Sequence, residues 1–139
     1  MLAKRLLVSI PTTIRIIRRL SVAKVGKKLS LQQLRVLVLI KENKGQAELA
    51  ELLYISPAAV SKMVDSLVTK KLVTKKPGKD ARSKSLQLTK DGKRTLATVS
   101  AYVEDQLTAG LERLTAKEHA ELNRGLEVLD KFMGIVNEH

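Results

Sequence analysis

The dipeptide Ser56-Pro57 fixes the start of a helix. Serine offers its oxygen to an orphan N–H of the first turn, and proline at the first helical position lacks only a donor that has no partner there. The helix it opens runs to about Lys71, with Val60, Val64, Leu67 and Val68 on one side. Directly behind it, residues 75–88, KKPGKDARSKSLQL, cluster five basic residues around a Pro-Gly tip, with a single acid, Asp80, two places before Arg82. Leu72–Lys76 and Ser85–Thr89 read as two short strands joined by that tip. A solvated loop needs charge, but not charge of one sign. A capped helix leading straight into a cationic hairpin therefore constrains both the fold and what it touches.

The other signals are mostly helical. Leu7, Ile10, Ile14 and Ile17 recur at helical spacing and form one apolar stripe on a first helix. Pro11 lies inside the stripe and is expected to kink the helix or to mark where its main part begins. Ser30 and Gln33 have the capping-box form ahead of an apolar helix. That helix passes through Leu34, Leu37, Val38 and Leu39 to about Glu42, and Asn43-Lys44-Gly45 ends it. AELAELLYI (47–55) is a short helix and turn. Thr89 caps a long helix to about Leu111, and Thr115 with Glu118 opens a last one carrying Leu122, Leu126, Leu129, Met133 and Val136.

A chain of 139 residues can bury a real core without staples. Aromatics are only 2%, so that core must be aliphatic. The lack of cysteine excludes a disulfide framework, a Cys-based zinc site and thiol redox sensing. There are 26 Lys+Arg against 14 Asp+Glu, a formal net charge of +12. The charge is skewed: residues 1–41 hold ten basic residues and no acid, whereas residues 90–139 hold seven basic and nine acidic. Such asymmetry points to a polyanion. Scarce aromatics count against single-stranded nucleic acid, which stacks bases on rings, and leave duplex DNA. The apolar run Leu6–Ile10 is interrupted by Ser9 and followed by Arg15, Arg18 and Arg19, too short and too charged for a secretory leader. A cytoplasmic protein without membrane association is expected.

A helix, a short helix, a tight turn, a capped helix and a basic hairpin stand in the order of a winged helix-turn-helix. Ala50 is small enough for two helices to cross closely, and Val60 and then Met63 point inward on the second. Its outward face is Pro57, Ala58, Ser61, Lys62, Asp65 and Ser66, small and polar at the N-terminal end, which suits a major groove about 12 Å wide. Readers of this type gain specificity by presenting two copies to a palindrome. The expected fold is therefore mainly α with a small β-hairpin wing, a winged helix-turn-helix (29–92) flanked by an N-terminal dimerisation helix (1–28) and C-terminal dimerisation helices (93–139), compact as a whole. The dimer face is expected at Leu7, Ile10, Ile14, Ile17, Leu129, Phe132, Met133 and Val136.

Residues 47–96 resemble the DNA-binding core of the MarR family of bacterial transcriptional regulators. The likeness is carried by Val64-Asp65-Ser66-Leu67 ahead of Leu72-Val73, by Asp80-x-Arg82-Ser83, and by Leu88-Thr89-x-x-Gly92. It extends loosely to one helix before and two after. The resemblance implies that the flanking helices form the dimer interface, that the second helix of the motif reads the major groove and that Arg82 enters the minor groove. The major-groove set is then Ser56, Pro57, Ala58, Ala59, Ser61 and Lys62, and the wing set Lys75, Lys76, Lys79, Asp80, Arg82, Ser83 and Lys84. A narrow A·T-rich minor groove has enhanced negative potential that attracts a guanidinium. Asp80 is close enough to pair with Arg82 and fix its direction, and the lysines would neutralise phosphates. The resemblance also implies a small effector, often an anionic aromatic or a metabolite, in a cleft between dimer helices and winged domain. Arg15, Arg18 and Arg19 are candidates to face it, against the simpler reading that they are solvated or touch phosphates. One residue departs from the pattern: Tyr54 stands where such turns usually carry Gly. A positive φ there would strain a Tyr by roughly 1 kcal/mol, so a slightly different turn is expected.

No catalytic residue, metal or cofactor is expected. His119 and His139 have no metal-ligand spacing, Ser56 and Ser61 have no His base nearby in sequence, and Lys76-Pro77-Gly78-Lys79 lacks the P-loop pattern. Two other readings compete. A basic membrane-surface protein would lay Arg15, Arg18, Arg19, Lys24, Lys27 and Lys28 on anionic lipid, which leaves the hairpin without purpose. A nucleoid-type protein would keep the DNA contact and lose sequence preference. The favoured expectation is a homodimeric, sequence-specific repressor at a pseudo-palindromic duplex operator, open to release by a small molecule.

Overall fold

Capping side chains set the start of four of the six α-helices. In the computed structural model, which describes residues 1–77 and 84–138, the order is α1 (Leu2–Val25), a 3-10 turn (Gly26–Lys28), α2 (Leu31–Lys41), α3 (Gln46–Leu53), α4 (Pro57–Thr69), β1 (Val73–Pro77), β2 (Lys84–Leu88), α5 (Lys90–Leu111) and α6 (Ala116–Asn137). Ser30 and Gln33 exchange both bonds of a capping box, at 3.1 and 3.0 Å. Thr115 and Glu118 do the same at the start of α6, at 2.8 and 3.1 Å. Ser56 Oγ accepts from the Ala59 N–H at 3.1 Å, with Pro57 at the first helical position. The Thr89 hydroxyl accepts from the Gly92 N–H at 3.0 Å and donates to the Lys71 carbonyl at 2.7 Å, so it caps α5 and ties it to the end of α4.

Helix α1 begins at Leu2 and runs through Pro11 without a break. Proline lacks the N–H that would bond back to Leu7. The neighbouring Thr12 and Thr13 hydroxyls donate to the carbonyls of Val8 and Ser9, each at 2.8 Å. Pro11 thus does not mark where the helix starts.

Helices α2, α3 and α4 end in the same motif. Asn43, Tyr54 and Lys71 adopt left-handed backbone, with φ of 65°, 55° and 61°. In each case the next N–H bonds five residues back: Lys44 to Leu39 at 3.0 Å, Ile55 to Ala50 at 3.2 Å and Leu72 to Leu67 at 3.0 Å. These are Schellman closures, which glycine usually occupies because it has no Cβ to clash. The expectation of an altered turn at Tyr54 is therefore corrected: the site does take positive φ, and its side chain, 94% exposed, has room to tolerate it.

The chain divides into two compact units, Met1–Val103 and Glu104–His139. In the first, Val36 and Leu37 of α2, Leu49 of α3, Val60, Val64 and Leu67 of α4 and Val73 of β1 are fully buried. Each such side chain contributes about 1.5–3 kcal/mol relative to exposure. Ala50 and Met63 are half-buried against this core, as is Val68. The hairpin alternates with period two: Val73 pairs with Leu88 and Lys75 with Leu86, while Thr74 pairs with Gln87 and Lys76 with Ser85. Val73 and Leu86 are buried, so the first set faces the core and the second faces away. Gly92, in the first turn of α5, is where helix and chain approach closest: a Cβ there would stand 2.2 Å from the Leu72 carbonyl oxygen. In the second unit, the end of α5 and α6 are joined by the Thr115 cap and by His119 Nε2, 2.6 Å from the Leu111 carbonyl. No residue of α6 is buried among those described.

Candidate nucleic-acid interface

Helix α4 is held from behind and free in front. Val60, Val64 and Leu67 anchor it in the core, and the Ile55 N–H bond to Ala50 fixes the turn that aims it. Ser56, Pro57, Ala58 and Lys62 are exposed at its N-terminal end, and Ala59 and Ser61 are half-buried beside them. The small residues leave the backbone of the first turn accessible, with the positive end of the helix dipole behind it. Six candidate major-groove residues thus share one end of one helix. Ser66 does not belong with them: its hydroxyl accepts from Gln33 Nε2 at 3.1 Å, turning it toward the start of α2.

The hairpin leans on the same helix. Lys75 Nζ, on the core-facing side of β1, pairs with the Asp65 carboxylate. Asp65 is 61% exposed and Lys75 28%. Lys75 thereby joins the hairpin to α4, and its charge is already matched. Lys76 projects from the opposite side of β1 and is exposed. Lys79, Asp80, Arg82 and Ser83, and with them the expected Asp80–Arg82 pair, lie outside the described residues; Lys84 opens β2.

A second feature lies on the far side of α4. A cleft of ≈ 810 Å³ is walled by Lys24, Lys28, Lys70 and Arg94. Its floor includes Leu29, Leu72 and Val99, with Thr95 and Thr98 beside them. Lys24 Nζ also stands 5.4 Å from the centroid of the Tyr102 ring, tying the end of α1 to α5. Arg15, Arg18 and Arg19 are not among the lining residues; they are exposed along α1. Sequence periodicity did not point to the four cations that do line the cleft, because they come from three separate segments and share no local pattern.

The likenesses to known proteins agree with this geometry. A family model described as MarR family matches residues 27–83, which span α2, the α3–α4 pair and the hairpin. The solved structure of RV1404 from Mycobacterium tuberculosis aligns over 96% of this chain and 92% of its own, at 26% identity and a TM-score of 0.80. Residues 27–83 are of the MarR family. Wild-type MarR of E. coli in its apo form shares the fold over 93% of this chain and 96% of its own, at 23% identity and a TM-score of 0.72. A MepR mutant of S. aureus, solved bound to an oligodeoxyribonucleotide, shares it over 94% and 97%, at 16% identity and a TM-score of 0.66. No curated protein matches the sequence. The winged helix-turn-helix that the family model matches is that of a DNA-binding transcriptional regulator. α3 and α4 form its helix-turn-helix and β1–β2 its wing.

Proposed function

We propose that this chain is a homodimeric repressor that binds a pseudo-palindromic operator in duplex DNA and is released by a small anion. The reading rests above all on α4: a helix locked into the core by three fully buried residues, whose free end presents Ser56, Pro57, Ala58 and Lys62. The exposed Lys76 of the adjoining hairpin is available for backbone contacts, and the basic sequence through Arg82 supplies charge for a minor groove.

Exposed apolar surface supports the dimer. Ile10, Ile14 and Ile17 of α1 are 37–42% exposed, and Phe132, Met133 and Val136 of α6 are 45–52% exposed. A helix as long as α6 with nothing buried gains little from its own chain, so a second copy is the partner that covers it. The effector site is the cleft: its volume lies in the ordinary range for small-molecule pockets, and its cationic wall over an apolar floor suits a carboxylate on an apolar body.

Selection of bound sequences from random duplexes at physiological salt tests the proposal. A two-fold symmetric site is the expected product, and Arg82→Ala should lose affinity chiefly in A·T-rich flanks. Recovery of no motif would favour the nucleoid-type reading. Binding to anionic liposomes in place of duplex would favour the membrane-surface one. No described helix is long and apolar enough to cross a membrane.

A further inference from the structure

Of the four cations around the cleft, Lys70 also belongs to a hydrogen-bond chain that reaches the recognition helix. Its Nζ donates to the Lys28 carbonyl at 2.7 Å and to Gln33 Oε1 at 3.2 Å. Gln33 Oε1 accepts as well from the Ser30 N–H at 3.0 Å, and Gln33 Nε2 donates to Ser66 Oγ at 3.1 Å. Two donors converging on one amide atom fix which end of Gln33 is oxygen. Ser66 lies in α4 and Lys70 caps its C-terminal end. Both therefore pin the rear of the recognition helix to the turn before α2 and to its first residues.

Both acceptors of Lys70 are neutral, a peptide carbonyl and an amide, and no described carboxylate pairs with it. A carboxylate in the cleft would offer the ammonium a charge-assisted bond, roughly twice as strong as a neutral one. Drawing Nζ toward the cleft removes one of the two donors from Gln33 Oε1 and leaves the Lys28 carbonyl without its cation. The tie between α2 and α4 then slackens at one end of a helix whose other end carries the groove residues. We propose that Lys70 is a positioning residue that holds α4 in its DNA-reading pose and is withdrawn from it by an anion in the cleft. The withdrawal rests on the effector site proposed above; the holding does not. An anion can release DNA this way only because it favours the slackened state over the clamped one.

The test uses the full-length protein, benzoate as probe, and a duplex recovered by the selection. Operator affinity is measured with and without saturating benzoate, and benzoate binding is followed separately by calorimetry. Wild type should lose operator affinity about tenfold on saturation, within the usual span of allosteric coupling. Lys70→Met should be weakened by about the same factor without benzoate and respond no further to it. Arg94→Met should need more benzoate yet reach the full factor once saturated. Ser66→Ala keeps every charge and breaks only the last link; it should share the weakening in a protein whose fold and salt dependence match wild type, and it stands in for Lys70→Met if that variant does not fold. If wild type fails to bind benzoate while Lys70→Met and Ser66→Ala are weakened, the effector site is wrong and the holding role of Lys70 stands. If these two variants bind operator as wild type does, the holding role is overturned, whatever benzoate does. If they are weakened without benzoate but Lys70→Met keeps the full benzoate response, release runs through another residue and the withdrawal step is overturned.

Discussion

Tyr54 and Gly92 occupy sites that the wrong side chain would strain in opposite ways. Tyr54 sits at φ 55° with its ring in solvent. Left-handed backbone costs an L-residue roughly 1–2 kcal/mol, and the looser unfolded chain of a glycine variant offsets part of that. Tyr54→Gly should therefore stabilise the protein by up to about 1 kcal/mol, read as a higher thermal midpoint. Gly92→Ala should do the reverse, because its methyl would meet the Leu72 carbonyl backbone rather than a side chain that can move. A loss of about 1–3 kcal/mol in denaturant unfolding is expected. The sequence marked Tyr54 as a departure and Gly92 only as part of the Leu88-Thr89-x-x-Gly92 likeness. It could not say that Tyr54 is strained, since that depends on the bond between Ile55 and Ala50 that closes the turn.

Between elements, the pairing of Asp65 with Lys75 matters more for binding than for stability, because exposed ion pairs contribute under about 1 kcal/mol. Asp65→Ala removes an acid beside the phosphates and frees Lys75. It should tighten non-specific duplex binding and steepen the logarithmic salt slope by about one. An unchanged slope would place Lys75 away from phosphate. Helix boundaries were legible because caps act locally: Ser30 with Gln33, Ser56 before Pro57, Thr89 before Gly92 and Thr115 with Glu118 all form the bonds their spacing implies. The cationic cleft and the Gln33–Ser66 link were not legible. Their members are joined only by how α1, α2, α4 and α5 stack, and a residue such as Lys70 reads in sequence as one more surface lysine.

On the scale of the molecule, the proposed repressor uses two kinds of surface: an apolar one for a second copy and a cationic one for DNA. Met133→Glu would place a charge on the exposed apolar side of α6, where Met133 is 46% exposed. It should shift sedimentation from dimer to monomer while leaving the helical circular-dichroism signal in place. Operator affinity should fall with it, since one copy reaches only one half-site. If the dimer contacts six to ten phosphates, affinity for the intact site should also fall by about 10³–10⁵ between 50 and 200 mM salt. The most direct test of the whole account is a hydroxyl-radical footprint of the selected duplex, taken alongside the binding stoichiometry. Two protomers per duplex, protecting two symmetric half-sites roughly one helical turn apart (about 10–10.5 base pairs), is the result expected; a single protected segment, or uniform protection that follows no sequence, would contradict it.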